Sequence, residues 1–301
     1  MTPSGFLNVR KPAGLTSQQC VGTIRRALDA RRRVGHGGTL DPMATGVLTV
    51  AVGRATRFLQ FLTTGKEYRG VIRLGSDDRL GRRYGRNIDA TCGSMGHGRS
   101  GAKGFAEEFS VPSRRVYIEH IDVEKFTQGD FPEVEIRVDC GGGTYIRSIA
   151  RECGEALVVP PEQIDSSYDL RNPAGDLCVG GTLMKLERTR SGVFSIADSL
   201  SLDEIRAKAE KGDVPLRPME SMLQHLPFAE LPQSTVQRWL NGGVVAVPAD
   251  EINCAKKKHY SLISGKPIRI YSRSSPELLG VAQVDPQAQR NEFILTKRLF
   301  I

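Results

Sequence analysis

Apolar positions along this chain recur at more than one period, and each change of period marks a new element. Behind Ser17, which can cap a helix, Cys20, Val21, Ile24 and Leu28 fall at helical spacing, and Arg31, Arg32 and Arg33 suit the negative end of that helix's dipole. A polar, glycine-rich stretch, VGHGGTLDPMATG, then gives way to VLTVAV, an apolar run of strand length. Thr56 to Leu62 predicts a short helix with Phe58, Leu59 and Leu62 inward. Residues 66–75, KEYRGVIRLG, alternate strictly, placing Tyr68, Ile72 and Leu74 on one strand face and Glu67, Arg69 and Arg73 on the other.

Residues 76–113 carry no apolar period; five glycines fall between Gly93 and Gly104, and the stretch predicts a flexible loop. Order returns with Arg115 to Phe126 and with Val134, Ile136 and Val138 as an alternating strand. A Gly141-Gly142-Gly143 turn leads into a helix, TYIRSIARECGEAL, whose inward set is Ile146, Ile149, Ala150, Cys153 and Leu157, with Arg147 and Arg151 on the opposite side. Pro160, Pro161 and Pro173 make 158–177 a loop. Residues 200–225 form a helix and a proline-punctuated connector. Beyond Pro227, a short helix from Ser234 to Leu240 is stopped by Gly242-Gly243 and followed by strand candidates VVAV, PIRIYS, LLGVAQV and FILTKRLF, a compact and mainly β module.

Length and composition leave this a globular chain: 301 residues, 39% hydrophobic and 25% charged, are enough to bury a core. No apolar run nears the roughly 18 residues of a membrane span, and the N-terminus shows no targeting pattern. A soluble, cytoplasmic protein is expected, with an organelle left open. The six cysteines lie 72, 48, 13, 25 and 76 residues apart, too far for zinc-knuckle pairs, so reduced thiols and no metal are expected. The net charge of +8 changes the picture once it is mapped. Residues 1–70 hold 11 Lys/Arg against 3 Asp/Glu, while the other 231 residues hold 31 of each. A polyanion such as RNA or DNA would meet the first quarter of the chain.

Inside that basic quarter lies the densest candidate for chemistry, Gly35-His36-Gly37-Gly38-Thr39-Leu40-Asp41-Pro42. Proline holds Asp41 out of helical dihedrals, and the glycines let other groups approach the backbone. On these residues alone Asp41 is either a carboxylate presented to a polyanionic substrate or an Asx-turn residue closing on Ala44 or Thr45.

GHGGTLDPMATGVL resembles the signature loop of the TruB family of tRNA pseudouridine synthases, relatives of the guide-dependent synthases of H/ACA particles. Four more stretches match that family in order: NVRKPAGLTS (8–17), KEYRGVIRLG (66–75), GGGTYIRSIARECGEAL (141–157) and GGTLMKLERTRSGVF (180–194). The resemblance implies an α/β (α+β) pseudouridine-synthase fold, with a mixed, largely antiparallel central sheet flanked by helices over 1–225. A small β-rich, PUA-like C-terminal domain over 226–301 follows. It implies isomerisation of uridine to pseudouridine in RNA, at the T-loop uridine 55 of tRNA, with no cofactor and no metal. Asp41 is then the catalytic aspartate, Arg147 its ion-pair partner and Tyr68 the residue stacked on uracil. Leu186 helps wall the pocket, His36 and the adjacent loop with Gly37, Thr39 and Leu40 occupy the space that the extruded uridine leaves behind, and Lys11, counted with them on the substrate-binding side, is structural rather than chemical. The partner is the tRNA T-stem-loop; a monomer without an obligate protein partner or membrane is expected.

Two stretches depart from the family. The Gly/Arg-rich segment 77–113 stands where bacterial members carry a thumb with a Pro-Pro-x-x-Ser-Ala-x-Lys motif, and 158–177 adds about twenty residues to a short link. Chemistry is expected to survive, with tRNA binding weaker and more dependent on salt. Other readings stay open at this level: an RNA-binding or chaperone protein with a vestigial pocket, a guide-dependent subunit, or, from the aspartate and basic face alone, a base-excising glycosylase.

Overall fold

A computed structural model of the chain describes residues 4–28, 33–75, 115–159, 174–248, 252–253, 265–285 and 292–300. The 77–113 loop and most of 158–177 lie outside them. Two compact units emerge, one made of 1–64 with 190–301 and the other of 65–189.

In the first unit, β1 (Gly5–Lys11) pairs antiparallel with β3 (Thr45–Val52), Leu7 opposite Val50 and Val9 opposite Leu48. The short β2 (Val34–His36) pairs with the same end of β3, so it occupies the other edge. The reason β3 reads as an unbroken apolar run is that both of its faces are covered. Leu48, Val50 and Val52 pack with Leu7 and Val9 against α1 (Ser17–Ala27) and against Ile205 of α3 (Leu202–Glu210). Val47 and Ala51 pack with Phe6 against Ala55, Phe58, Phe194 and the connector residues Met219, Met222 and Leu223. The predicted helix at 56–62 is a 3-10 helix over Gly53–Phe61, with Phe58 buried and Leu59 and Leu62 partly so.

Helix α1 begins one residue earlier than its pattern predicts. Its cap is Thr16, whose side chain accepts from the Gln19 amide while the Gln19 side chain accepts from the Thr16 amide. Ser17 is released from capping.

The same unit carries the C-terminal sheet, ordered β10 (Val245–Pro248), β14 (Glu292–Phe300), β13 (Ser275–Val284), β12 (Pro267–Ser272), β9 (Phe228–Leu231), β11 (Ile252–Asn253). Its core gathers Trp239 of α4 (Gln233–Leu240) with Ile268, Ile270, Ala282 and Leu295. The sequence pattern indicates all of these strands except β9 and β11.

In the second unit the strand order is β7 (Gly181–Ser191), β4 (Lys66–Leu74), β6 (Glu133–Cys140), β5 (Ile118–Thr127). Alternation in β4 and β6 puts Tyr68 opposite Val138 and Ile72 opposite Val134 on the buried face. The other face is charged, with Arg73 paired to Glu133 at 2.8 Å and Arg137 to Asp122. The Asp122 carboxyl is held below its ordinary value chiefly by the Arg137 hydrogen bond.

Helix α2 (Ile146–Ala156) buries Ile146, Ala150 and Gly154, whereas Cys153 and Leu157 are exposed, contrary to the predicted inward set. The close approach of two backbones causes this. A Cβ on Gly154 would lie 2.0 Å from the carbonyl carbon of Gly180 and from the amide of Gly181. Only a helix face with glycine at that point can lie so close to the start of β7. The 158–177 excursion closes on itself at this junction. Val159 N–H donates to Leu177 O at 2.9 Å, Val179 N–H to Leu157 O at 2.8 Å and Gly180 N–H to Gly154 O at 3.1 Å.

Candidate active site

The predicted site residues fall in both units. In the first, His36 ends β2 opposite Val50, and the Gly37 N–H extends the ladder by donating to Thr49 O at 2.8 Å. Beyond it Gly38 takes a φ of 133°, a conformation reserved for glycine, and turns the chain towards Thr39, Leu40 and Asp41. Leu40 is buried and doubly held by one hydroxyl: Ser17 Oγ accepts from its N–H at 2.8 Å and donates to its carbonyl at 3.1 Å.

Pro42 is held from the other side. Its carbonyl accepts from the Gly14 N–H at 2.8 Å and from Lys11 Nζ at 3.2 Å. Lys11 is fully buried, and its ammonium also donates to the carbonyls of Pro12 at 2.8 Å and Leu15 at 2.5 Å. A buried ammonium is tolerated where acceptors surround it. Here they include main-chain oxygens of the two loops that flank Asp41. The turn after the aspartate is closed by its carbonyl, which accepts from Ala44 N–H at 3.0 Å. Asp41 itself is half-buried, fixed in place by neighbours bonded on both sides.

In the second unit, Tyr68 is the third residue of β4 and Leu186 lies on β7, both on buried positions. Arg147 is the second residue of α2, half-buried, on a helix that lies against β4. Its neighbour one turn on, Arg151, is exposed and engaged with Glu155 at 3.6 Å.

Two residues of weight escaped the sequence reading. Ser17 was assigned to a helix cap and instead braces Leu40. Arg188 lies within the LERTRSG stretch and is 1% exposed, with its Nη1 donating to the Tyr68 hydroxyl at 3.4 Å. The available signal was its phase: two residues from Leu186 on an extended strand, a charged side chain stands where the alternation calls for an inward one. Lys66, on the same strand as Tyr68 and two residues before it, has its ammonium pushed below the ordinary lysine value by burial and then by the charge of Arg188.

Among the described residues no helix is long and apolar enough to cross a membrane. Among the described residues Cys20, Cys140 and Cys178 are buried and Cys153 is exposed.

The model of the TruB family pseudouridylate synthase N-terminal domain matches residues 25–95. The tRNA pseudouridine synthase B of Trichormus variabilis is 32% identical, the alignment covering 93% of this chain and 94% of that protein. The enzyme of the same name from Gloeobacter violaceus is 38% identical over 82% and 87%. Among solved structures, a chain of the archaeal box H/ACA sRNP Nop10-Cbf5 complex superimposes with a TM-score of 0.65 at 26% identity, over 99% of this chain and 86% of that one. The expected fold class is therefore the observed one, and with such identity sustained along nearly its whole length, the chain belongs to the TruB family of pseudouridine synthases.

Proposed function

We propose that this protein converts uridine to pseudouridine in tRNA, at the T-loop uridine 55, acting as a monomer in the cytoplasm without guide RNA or protein partner. The observation that carries the reading is the carboxylate of Asp41, set between two residues whose main chains are bonded to the buried Lys11 and to Ser17. Relatives named tRNA pseudouridine synthase B align along nearly the whole chain and support the same substrate class.

The isomerisation breaks the bond between N1 and C1′, turns the uracil and joins its C5 to C1′, with the hydrogen of C5 leaving as a proton and the freed N1 ending protonated. No electron is gained or lost. Asp41 either attacks C1′ and is released when C5 bonds there, or assists removal and return of the 2′ hydrogen through a glycal. Either role requires a carboxylate that stays put while the base turns, and a loop fixed on both sides of the residue supplies it. Arg147 pairs with the carboxylate, Tyr68 stacks on the uracil and Leu186 closes the apolar wall. His36 and the loop through Gly37, Thr39 and Leu40 occupy the space left by the extruded nucleotide, whose unstacking costs a few kcal/mol. The catalytic domain spans 1–225, and the β-rich module at 226–301 contributes to RNA binding.

Release of tritium from unmodified tRNA labelled at uridine C5 reports formation of the new bond. Wild type is expected to release one equivalent per tRNA, and Asp41→Asn to be slower by at least about a thousandfold with an unchanged melting temperature. Binding without release by wild type would overturn the reading in favour of a vestigial pocket or a partner-dependent enzyme. Free uracil in the supernatant would instead identify a glycosylase.

A further inference from the structure

Arg188 is a cation placed where cations are costly. At 1% exposure its guanidinium has left water almost completely, and a buried charge survives only where fixed donors and acceptors answer it. One such answer is the Tyr68 hydroxyl, which accepts from Nη1 at 3.4 Å; the guanidinium carbon lies 5.9 Å from the centre of the Tyr68 ring. Arginine offers donors only, so the phenolic oxygen must be the acceptor of this bond, and the hydroxyl hydrogen points away from the guanidinium. The charge is permanent, and neighbouring Lys66 is the group that yields: after burial, Arg188 is the next largest cause of the lowered affinity of Lys66 for its proton.

The result is a tyrosine gripped at both ends. Its Cβ is fixed by β4, where Tyr68 sits opposite Val138, and its hydroxyl by an arginine from the neighbouring strand β7. A phenol free at its tip could swing about its Cα–Cβ bond and carry the ring with it. A phenol bonded at its tip is held in one place on the sheet face.

We infer that Arg188 is a positioning residue that fixes the place of the Tyr68 ring through its hydroxyl, so that the uracil stacked on it is held where C5 can reach C1′. This rests on the synthase reading given above and assigns Arg188 no contact with the RNA. The uracil must rotate between bond breaking and bond making, and a ring that rocks with it would spread the base over unproductive poses.

The test is a double-mutant cycle on the full-length protein, with Arg188→Gln and Tyr68→Phe alone and together, and Arg188→Lys as the conservative variant. Single-turnover tritium release at saturating tRNA, half-saturation by tRNA and melting temperature are measured for each. In the wild-type background Arg188→Gln is expected to slow the saturated rate by about ten- to a hundredfold while half-saturation moves by less than about twofold. In the Tyr68→Phe background the same change is expected to cost less than about threefold, because the hydroxyl through which it acts is gone. Arg188→Lys, which can still donate to that hydroxyl, recovers part of the loss.

Equal losses in the two backgrounds overturn the inference, as does a loss confined to half-saturation, or a Tyr68→Phe enzyme as fast as wild type. If Arg188→Gln does not fold, the same cycle with Arg188→Lys decides, since a loss that disappears in Tyr68→Phe supports the coupling and one that persists rejects it. Absence of Asp41-dependent release by wild type would strike the synthase reading itself. Normal release with an additive cycle strikes only the role of Arg188.

Discussion

Two regions of this molecule place functional side chains by different physical means. Around Asp41 the work is done by the main chain. The loop has no regular structure of its own, and its carbonyls and amides are taken up by Ser17, Gly14 and the ammonium of Lys11. Around Tyr68 the main chain is an ordinary strand, and placement is left to side chains that alternate on β4 and β7, with Arg188 bonded to the tyrosine tip. A loop residue positioned by irregular hydrogen bonds is as rigid as its least secure anchor. A strand residue is as rigid as the sheet and helix that carry it. Damage to the first should therefore appear as lost activity in proportion to local loosening, and damage to the second as loss of the whole layer.

The largest effect is expected where the second unit has no slack. Gly154→Ala would set a methyl group 2.0 Å from the backbone of Gly180 and Gly181, and no rotamer relieves a clash of Cβ with main chain. A destabilisation of more than about 4 kcal/mol is expected. Hydrogen exchange read by mass spectrometry should show it as lost protection across β4, β6 and β7. Protection retained there with only α2 loosened would mean that the helix is not what holds the layer.

In the first unit the corresponding change is Lys11→Met, which keeps the volume and removes the donor from the carbonyls of Pro12, Leu15 and Pro42. Stability should fall by about 3 kcal/mol, since several buried acceptors lose their donor at once. The turnover rate should fall further than the stability accounts for, because the anchor beside Asp41 goes with it. Ser17→Ala is the milder version. It leaves the Leu40 N–H and carbonyl without the hydroxyl that serves both, at a cost of about 1–2 kcal/mol in urea denaturation. Its saturated rate should drop by about tenfold with half-saturation unchanged. A rate drop in neither variant would show that Asp41 is held by something other than its anchored neighbours.

The sequence made the strands and helices legible where burial follows a period. Leu48, Val50 and Val52 against Val47 and Ala51, or Tyr68 and Ile72 against Glu67 and Arg73, declare their faces because each packs on a continuous layer. The site loop was legible as a motif but not as a structure. Nothing in GHGGTLDP says that Leu40 is held from Ser17, twenty-three residues earlier, because that bond is a tertiary event with no local pattern. The inward face of α2 was misjudged for a related reason. Apolar spacing favoured Cys153 and Leu157, whereas the contact is made by Gly154, a residue without a side chain to advertise it. Arg188 was hidden by its own chemistry, since a charged residue in an otherwise ordinary strand is read as solvent-facing until the sheet shows otherwise.

The finest distinction between the two regions concerns two ammonium groups, that of Lys11, fully buried, and that of Lys66, half-buried. Lys11 is surrounded by carbonyls, while Lys66, facing Cys140 across the β4–β6 ladder, is burdened by burial and by the charge of Arg188. A lysine whose folded value lies below its unfolded 10.5 penalises folding wherever both states are protonated. That penalty shrinks as pH rises through the folded value and disappears above 10.5. Lys66→Met should therefore be modestly more stable than wild type at neutral pH, and its advantage should fade towards pH 10.5. Cys140, whose thiol is pushed above 9.0 chiefly by burial and drawn down by Lys66, also makes the protein less stable as pH rises past that value, so the difference between the pair is read in a Cys140→Ala background. Paired urea denaturation curves from neutral pH upward measure that difference. A gap that stays constant with pH would mean that methionine merely packs better there. A wild type more stable than the variant at neutral pH would mean that the Lys66 ammonium, like that of Lys11, has acceptors that outweigh its neighbour's charge.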